Sequence, residues 1–112
     1  MNRFLEKLNT AENTIEFTDT MTVIDKNYEF TAQEFKNGDL INHAGENSGS
    51  CKIFSFAKLN QLTQKQTLAC FGKYYREDVL LNPSNTDHQN IRNFMKTGWQ
   101  GIEFTVLALK AK

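Results

Sequence analysis

The chain is organised around residues 44–57, which read AGENSGSCK in a polar stretch and then IFSFA in an apolar one. Glycine allows backbone conformations that other residues avoid, and asparagine and serine compete for backbone hydrogen bonds outside helices. The polar part therefore predicts a loop, and the apolar part predicts a helix. Ser50 stands where an N-cap belongs, which places Cys51 in the first helical turn, among backbone N–H groups without intrahelical partners.

Apolar side chains cover most of the circumference of this predicted helix, because Ile53, Phe54, Phe56 and Ala57 follow one another closely. A helix that is apolar on all sides is buried. The chain has nine Phe, three Tyr and one Trp among 112 residues, which indicates an aromatic core. This length is enough for one core without disulfide or metal staples. We therefore expect a single domain, residues 1–112, built around this helix.

Hydrophobic periodicity predicts four further helices. They span about residues 3–11, 19–28, 64–82 and 87–97. The second is capped by Thr18 or Asp19, the third by the capping box Thr63-x-x-Gln66, and the last by Thr86 or Asp87. Asn82-Pro83 terminates the third helix, and Gly98 stops the last one.

The segment from Tyr28 to Ile41 has two interpretations. Asn37-Gly38 is a strong signal for a two-stranded hairpin. The alternative is a helical turn that begins with the capping box Thr31-x-x-Glu34 and ends at Gly38. Residues 15–17 and the tail 99–106 alternate in part, as extended segments do. The predicted fold class is α+β and mainly α-helical, a compact domain of about five helices with a small β hairpin or ribbon.

Charge and hydropathy exclude several function classes. The 13 basic and 13 acidic residues balance, so we expect no nucleic-acid partner and no membrane surface. Neither a signal-peptide pattern nor an apolar run of transmembrane length occurs. We expect a cytoplasmic protein in which Cys51 and Cys70 are free thiols.

A catalytic hypothesis starts from Cys51 at a helix N-terminus, where the helix dipole lowers the pKa of a thiol. His88 is the available general base, with Asp87 or Asn47 to orient it. The Gly-Ser-Cys segment entering a helix resembles the nucleophile helix of papain-like proteases. However, Lys52 follows the cysteine where those proteases have an aromatic residue, and the chain is about half their length. The alternative is that Cys51 packs as a small hydrophobic residue.

The remaining polar candidates point to binding rather than chemistry. The candidate ligand-binding residues are Glu46, Asn47, Ser48, Ser50 and Arg76. Arg76 could pair with a carboxylate or phosphate of a ligand, although an ordinary surface ion pair also explains it. The two histidines lack metal-ligand spacing, so we predict no metal site and no cofactor.

Three segments resemble the HopJ type III effector family: residues 44–52, residues 66–80 (QTLACFGKYYREDVL) and residues 87–99 (DHQNIRNFMKTGW). The resemblance extends over nearly the whole chain. It implies a bacterial protein, and the family name implies delivery into host cells through a type III system. It implies no activity and no catalytic residues.

Three function hypotheses follow. The leading one is a small cytoplasmic binding or interaction module for a protein or a small molecule. The alternatives are a type III secreted effector that acts in a host cell, and a thiol-dependent hydrolase or transferase that uses Cys51. Export through a narrow needle requires an unfolded leading segment, and the first helix begins by residue 3. We therefore expect a resident cytoplasmic protein.

Overall fold

A computed structural model describes all 112 residues and has five α-helices. They are α1 (Asn2–Thr10), α2 (Phe17–Asn27), α3 (Ser48–Leu59), α4 (Gln64–Ala69) and α5 (Gln89–Thr97). Five strands of three residues each accompany them: β1 (Tyr28–Phe30), β2 (Phe35–Asn37), β3 (Leu40–Asn42), β4 (Ile102–Phe104) and β5 (Leu109–Ala111). Short 3₁₀ turns span Glu12–Thr14 and Gly98–Gly101, and a π-helical turn spans Tyr74–Val79. The mainly helical α+β class is confirmed.

The strands form two small antiparallel sheets. One has the order β3-β2-β4, and the other pairs β1 with β5 near the end of the chain. The hairpin interpretation of the segment around Gly38 is confirmed over the helical turn. Asn37 pairs with Leu40, so the two-residue loop is Gly38-Asp39, one position later than expected. Asn37 therefore lies in the strand, and its side chain is fully buried.

Helix α3 is the central element, as its composition predicts. Ile53, Phe54, Phe56 and Ala57 are completely buried. The ring of Phe54 packs against four other aromatic rings, whose centroids lie 5.0–6.5 Å away: Phe35, Phe71, Phe94 and Trp99. This cluster joins β2, α3 and α5 into one core.

The predicted start of α3 is wrong by three residues. The helix begins at Ser48, and its N-cap is Asn47, which has a left-handed backbone with φ 51°. Ser50 is therefore the third helical residue and no cap. The N–H of Cys51 already donates to the carbonyl of Asn47 at 3.0 Å, so the cysteine amide is not one of the free ones.

The predicted long helix over 64–82 is wrong, because the chain breaks after α4. Gly72 has φ +60°, and a Cβ atom there would lie 2.5 Å from the backbone nitrogen of Phe17. This close approach requires glycine and ends the helix. The chain then resumes as the π-helical turn, in which the N–H of Leu80 donates to the carbonyl of Tyr75.

The predicted helix ends differ in accuracy. The capping box of Thr63 and Gln66 is present, and Gly98 follows α5 with φ 58°. By contrast, α2 begins at Phe17, two residues early, and the carboxylate of Asp19 accepts the N–H of Glu16. Neither Thr86 nor Asp87 caps α5, since His88 is its N-cap. No helix in the structure combines the length and apolarity needed to cross a lipid bilayer.

Candidate functional site: a cleft at three helix N-termini

A cleft of about 480 Å³ lies where the first turns of α2, α3 and α5 meet. Phe17 is the first residue of α2, Gly49 and Ser50 lie in the first turn of α3, and Gln89 and Asn90 open α5. The other lining residues are Leu40, Asn47, Phe71, Tyr74, His88 and Ile91. Cavities of this volume are the size of small-molecule sites in other proteins.

Backbone donors face no acceptor at two of these helix ends. In α3, the N–H groups of Ser48, Gly49 and Ser50 have no hydrogen-bond partner, and in α5 the same holds for Gln89 and Asn90. Such groups carry the positive end of the helix dipole. Because Gly49, Ser50, Gln89 and Asn90 all line the cleft, it presents donors to a bound molecule.

One wall of the cleft consists of three aromatic rings that lie side by side in space. The ring centroids of Phe17 and Tyr74 lie 5.1 Å apart in an edge-to-face arrangement, and those of Tyr74 and His88 lie 5.2 Å apart. The π-helical turn contributes Tyr74, and π-helical geometry often occurs at functional sites. These rings can pack against a planar or apolar part of a ligand.

His88 is oriented by a carboxylate that the sequence did not indicate. Its Nε2 lies 3.0 Å from Oδ2 of Asp78, whereas Asp87, the predicted partner, is 3.9 Å away. Nδ1 of His88 has no partner in the structure. When Nε2–H donates to Asp78, Nδ1 is left as an acceptor at the cleft. His88 also has a left-handed backbone, with φ 50°. Side chains rarely adopt this conformation outside functional or tightly constrained positions.

A network of asparagine side chains lies beneath the cleft. Asn42 and Asn90 pair reciprocally through their amides, at 3.2 and 2.9 Å. Asn37 donates from Nδ2 to the carbonyl and to Oδ1 of Asn90, at 2.7 and 3.0 Å, and Asn47 donates to Oδ1 of Asn42 at 2.7 Å. The network thus ties β2 and β3 to the N-cap of α3 and to the first turn of α5, and so to the cleft.

Only Oδ1 of Asn37 is a buried side-chain polar atom without a partner. Turning this amide over would place Oδ1 against the two oxygens of Asn90 and lose both hydrogen bonds, so the observed orientation is favoured. The sequence predicts Asn37 as a turn residue and indicates no role for Asn42 or Asn90. The local sequence shows only that Asn42 follows Ile41 and Asn90 precedes Ile91, so each asparagine adjoins an apolar residue.

Cys51 does not join this site. Its side chain is 2% exposed, and Sγ contacts the carbonyl of Gln33 at 3.7 Å. Burial raises the pKa of the Cys51 thiol, against a smaller lowering effect of the Gln33 hydrogen bond. The thiol makes no hydrogen bond to His88, and Cys51 is not among the residues that line the cleft. This environment fits the alternative in which Cys51 packs as a small hydrophobic residue. The catalytic role of Cys51, His88 and Asp87 stays a prediction that the geometry does not support.

The other predicted residues divide between the cleft and its surroundings. Asn47 and Ser50 line the cleft, whereas Ser48 does not. Glu46 closes the preceding loop, because its carboxylate accepts the N–H of His43 at 2.8 Å. Arg76 donates to the carbonyl of Ile15 at 2.6 Å and pairs with Glu16 at 3.4 Å, so it anchors the segment before α2.

Asp87 is bound to Arg92 rather than to a catalytic partner. Nη2 of Arg92 donates to Oδ1 of Asp87 at 2.7 Å, and this hydrogen bond holds the pKa of the Asp87 carboxyl below its usual value. No group of three His, Cys, Asp or Glu side chains in the structure is arranged to hold a metal ion.

Comparison with known proteins identifies the family. The family model described as HopJ type III effector protein matches residues 1–109 of the 112. The chain belongs to the HopJ family. The resemblance of the three segments is thereby confirmed over almost the entire sequence.

Among solved structures, the chain is similar to one described as the crystal structure of unknown function protein VPA0580. The two sequences are 58% identical, the TM-score is 0.99, and the match covers 100% of this chain and 93% of the other. None of the curated proteins compared with the sequence matches it significantly. The fold is thus shared closely with a relative whose description assigns no activity.

Proposed function

We propose that this HopJ-family chain is a small binding module, and that its cleft takes a planar aromatic molecule carrying hydrogen-bond acceptors. The observation that carries the proposal is the set of unpaired backbone N–H groups of α3 and α5 that open onto one aromatic-walled cleft. Carbonyl or carboxylate oxygens of a ligand would pair with these donors. Its ring would pack along Phe17, Tyr74 and His88.

The cleft favours binding over covalent catalysis. Its aliphatic hydroxyl group, that of Ser50, makes no hydrogen bond to His88 or to any other side chain in the structure, so no base activates it. Cys51, the stronger nucleophile, lies outside the lining. The asparagine network holds Asn47 and Asn90 in place before a ligand arrives, and such preorganisation lowers the entropic cost of binding.

The two histidines provide a matched test. In the His88→Asn variant the left-handed backbone is retained, since asparagine tolerates it, while the ring is lost. His43→Asn makes the same change at an exposed histidine outside the cleft, whose side chain is 71% exposed. Benzamide would be titrated into ¹⁵N-labelled protein, with cyclohexanecarboxamide as a non-aromatic probe of similar shape.

We expect benzamide to shift the amide signals of Gly49, Ser50 and Gln89, and the affinity to fall about fivefold in the His88 variant only. Cyclohexanecarboxamide should bind more weakly. Equal affinity in the two histidine variants, or no shift at these amides across a wider set of aromatic amides and acids, would contradict the proposal. Thermal unfolding of both variants checks that each is folded.

The family description favours a second candidate function, a type III effector acting in a host cell. This role is compatible with a binding module, because the ligand would then belong to the host. Fusing a reporter to the C-terminus and comparing delivery from secretion-competent and secretion-deficient strains tests it. Delivery only from the competent strain supports the effector role, and no delivery from either strain favours a resident cytoplasmic protein.

A further inference from the structure

A second cleft, of about 490 Å³, lies on the other side of the first turn of α5. Its apolar side includes Val79, Leu80 and Met95, and its basic residues are Arg92 and Lys96. The connection between the π-helical turn and α5 forms its rim. No acidic residue lines this cleft. It shares only Gln89 with the first cleft, so it can be tested separately.

Arg92 is buried but retains hydrogen-bonding capacity. It is 9% exposed, and it donates to the carbonyl of Asp87 at 2.6 Å, to Oδ1 of Asp87 at 2.7 Å and to the carbonyl of Pro83 at 3.3 Å. A guanidinium has five N–H donors, and these three bonds leave two without an acceptor in the protein. The three bonds also fix the side chain, so its remaining donors are preorganised.

The charges around this cleft do not balance. Asp87 neutralises Arg92, whereas Lys96 forms no ion pair and no side-chain hydrogen bond in the structure. The site therefore carries about one uncompensated positive charge next to an apolar wall. Leu80 and Met95 remain 46% and 38% exposed and both line this cleft, so they place apolar surface beside the positive charge.

We propose that this second cleft binds a small amphipathic monocarboxylate, with the carboxylate at Arg92 and Lys96 and an aliphatic chain against Leu80 and Met95. One negative charge compensates the excess positive charge. Guanidinium donors match the geometry of a carboxylate. The chain covers apolar surface that the fold leaves in water.

Three probes separate the parts of this proposal in a ¹⁵N NMR titration. Octanoate carries both groups, 1-octanol has only the chain, and acetate has only the charge. We expect octanoate to shift the signals of Leu80, Met95 and Lys96 with a Kd of about 1 mM, and the other two probes to bind at least about tenfold more weakly. Equal binding of octanoate and octanol overturns the proposal, as do octanoate shifts confined to Gly49 and Ser50 in the first cleft.

Two pairs of variants locate the site without disturbing Arg92. Lys96→Gln is expected to weaken octanoate binding about fivefold, while Lys26→Gln, the same charge change on an exposed lysine of α2, leaves it unchanged. Leu80→Asn is expected to weaken it about fivefold, and Leu81→Asn, at the adjacent and 72% exposed leucine outside the lining, is expected to have no effect. Equal losses within either pair contradict the proposal.

Discussion

The aromatic cluster around Phe54 and the asparagine network around Asn42 join the same three parts of the molecule by different chemistry. Both connect β2, the α3 region and α5. The rings attract one another in many orientations, whereas each amide in the network needs a particular donor or acceptor opposite it. The cluster therefore supplies stability, and the network determines which residues of α3 and α5 face each other at the cleft.

This difference predicts the largest effect at Phe54. Replacing Phe54 by Ala removes a fully buried ring with four aromatic neighbours, and we expect a loss of about 3–5 kcal/mol in the free energy of unfolding. Phe54→Leu should lose about half as much, because another apolar group fills part of the space. Urea unfolding measures both. If leucine were as damaging as alanine, the cluster would depend on geometry as strictly as the network does.

Asn42 tests the network. Asn42→Ala removes two amide contacts with Asn90 and the acceptor of Asn47. It leaves Nδ2 of Asn90 and Nδ2 of Asn47 unpaired, so we expect a loss of about 2–3 kcal/mol. Asn42→Leu should be no better, although it restores volume. Asn13→Ala, at an exposed asparagine without side-chain hydrogen bonds, serves as the control and should change stability by less than about 0.5 kcal/mol. A stable leucine variant would remove the distinction between the two regions.

Cys70 tests how strictly the apolar region excludes charge. Burial raises its pKa to about 12 from 9.0, partly offset by the hydroxyl of Thr20. The unfolded chain therefore loses this proton first as the pH rises. The contribution of the protonated Cys70 thiol to the free energy of unfolding is complete below about pH 9 and is lost toward pH 12. We expect Cys70 to account for a loss of about 1 kcal/mol between about pH 8 and pH 10. Urea unfolding at both pH values should show this slope in the parent protein, reduced in Cys70→Ala; identical slopes would disprove the assignment.

The smallest effect is expected at Asn47, where the network reaches the surface. Asn47→Gly loses the hydrogen bond to Asn42, a cost of about 1 kcal/mol, but relieves the left-handed backbone by a similar amount. The free energy of unfolding should therefore stay within about 0.5 kcal/mol of the parent value. Asn47→Ala loses the bond without that relief, and should be less stable by about 1 kcal/mol. Equal stability of the two variants would show that the backbone is not strained.

Local patterns determined much of the fold. The all-round apolar composition of residues 53–57 predicted a buried central helix. The Thr63 capping box and Gly98 placed two helix ends, and Asn37-Gly38 predicted the hairpin to within one residue. These features depend on neighbours within a few positions of the chain. The sequence also indicated Asn47, Ser50 and His88 as candidate site residues, and all three line one cleft in the tertiary structure.

Only the tertiary structure decided the break at Gly72, the burial of Cys51 and the asparagine network. Gly72 is required because the backbone of Phe17, 55 positions earlier, passes against it. Asn37 and Asn90 are 53 positions apart, and nothing in either local sequence identifies the other as its partner. An isolated helix would expose Cys51 at its first turn, whereas the packed chain turns it toward Gln33. Helix and turn signals act over a few residues, but a site forms from groups that meet only when the whole core closes.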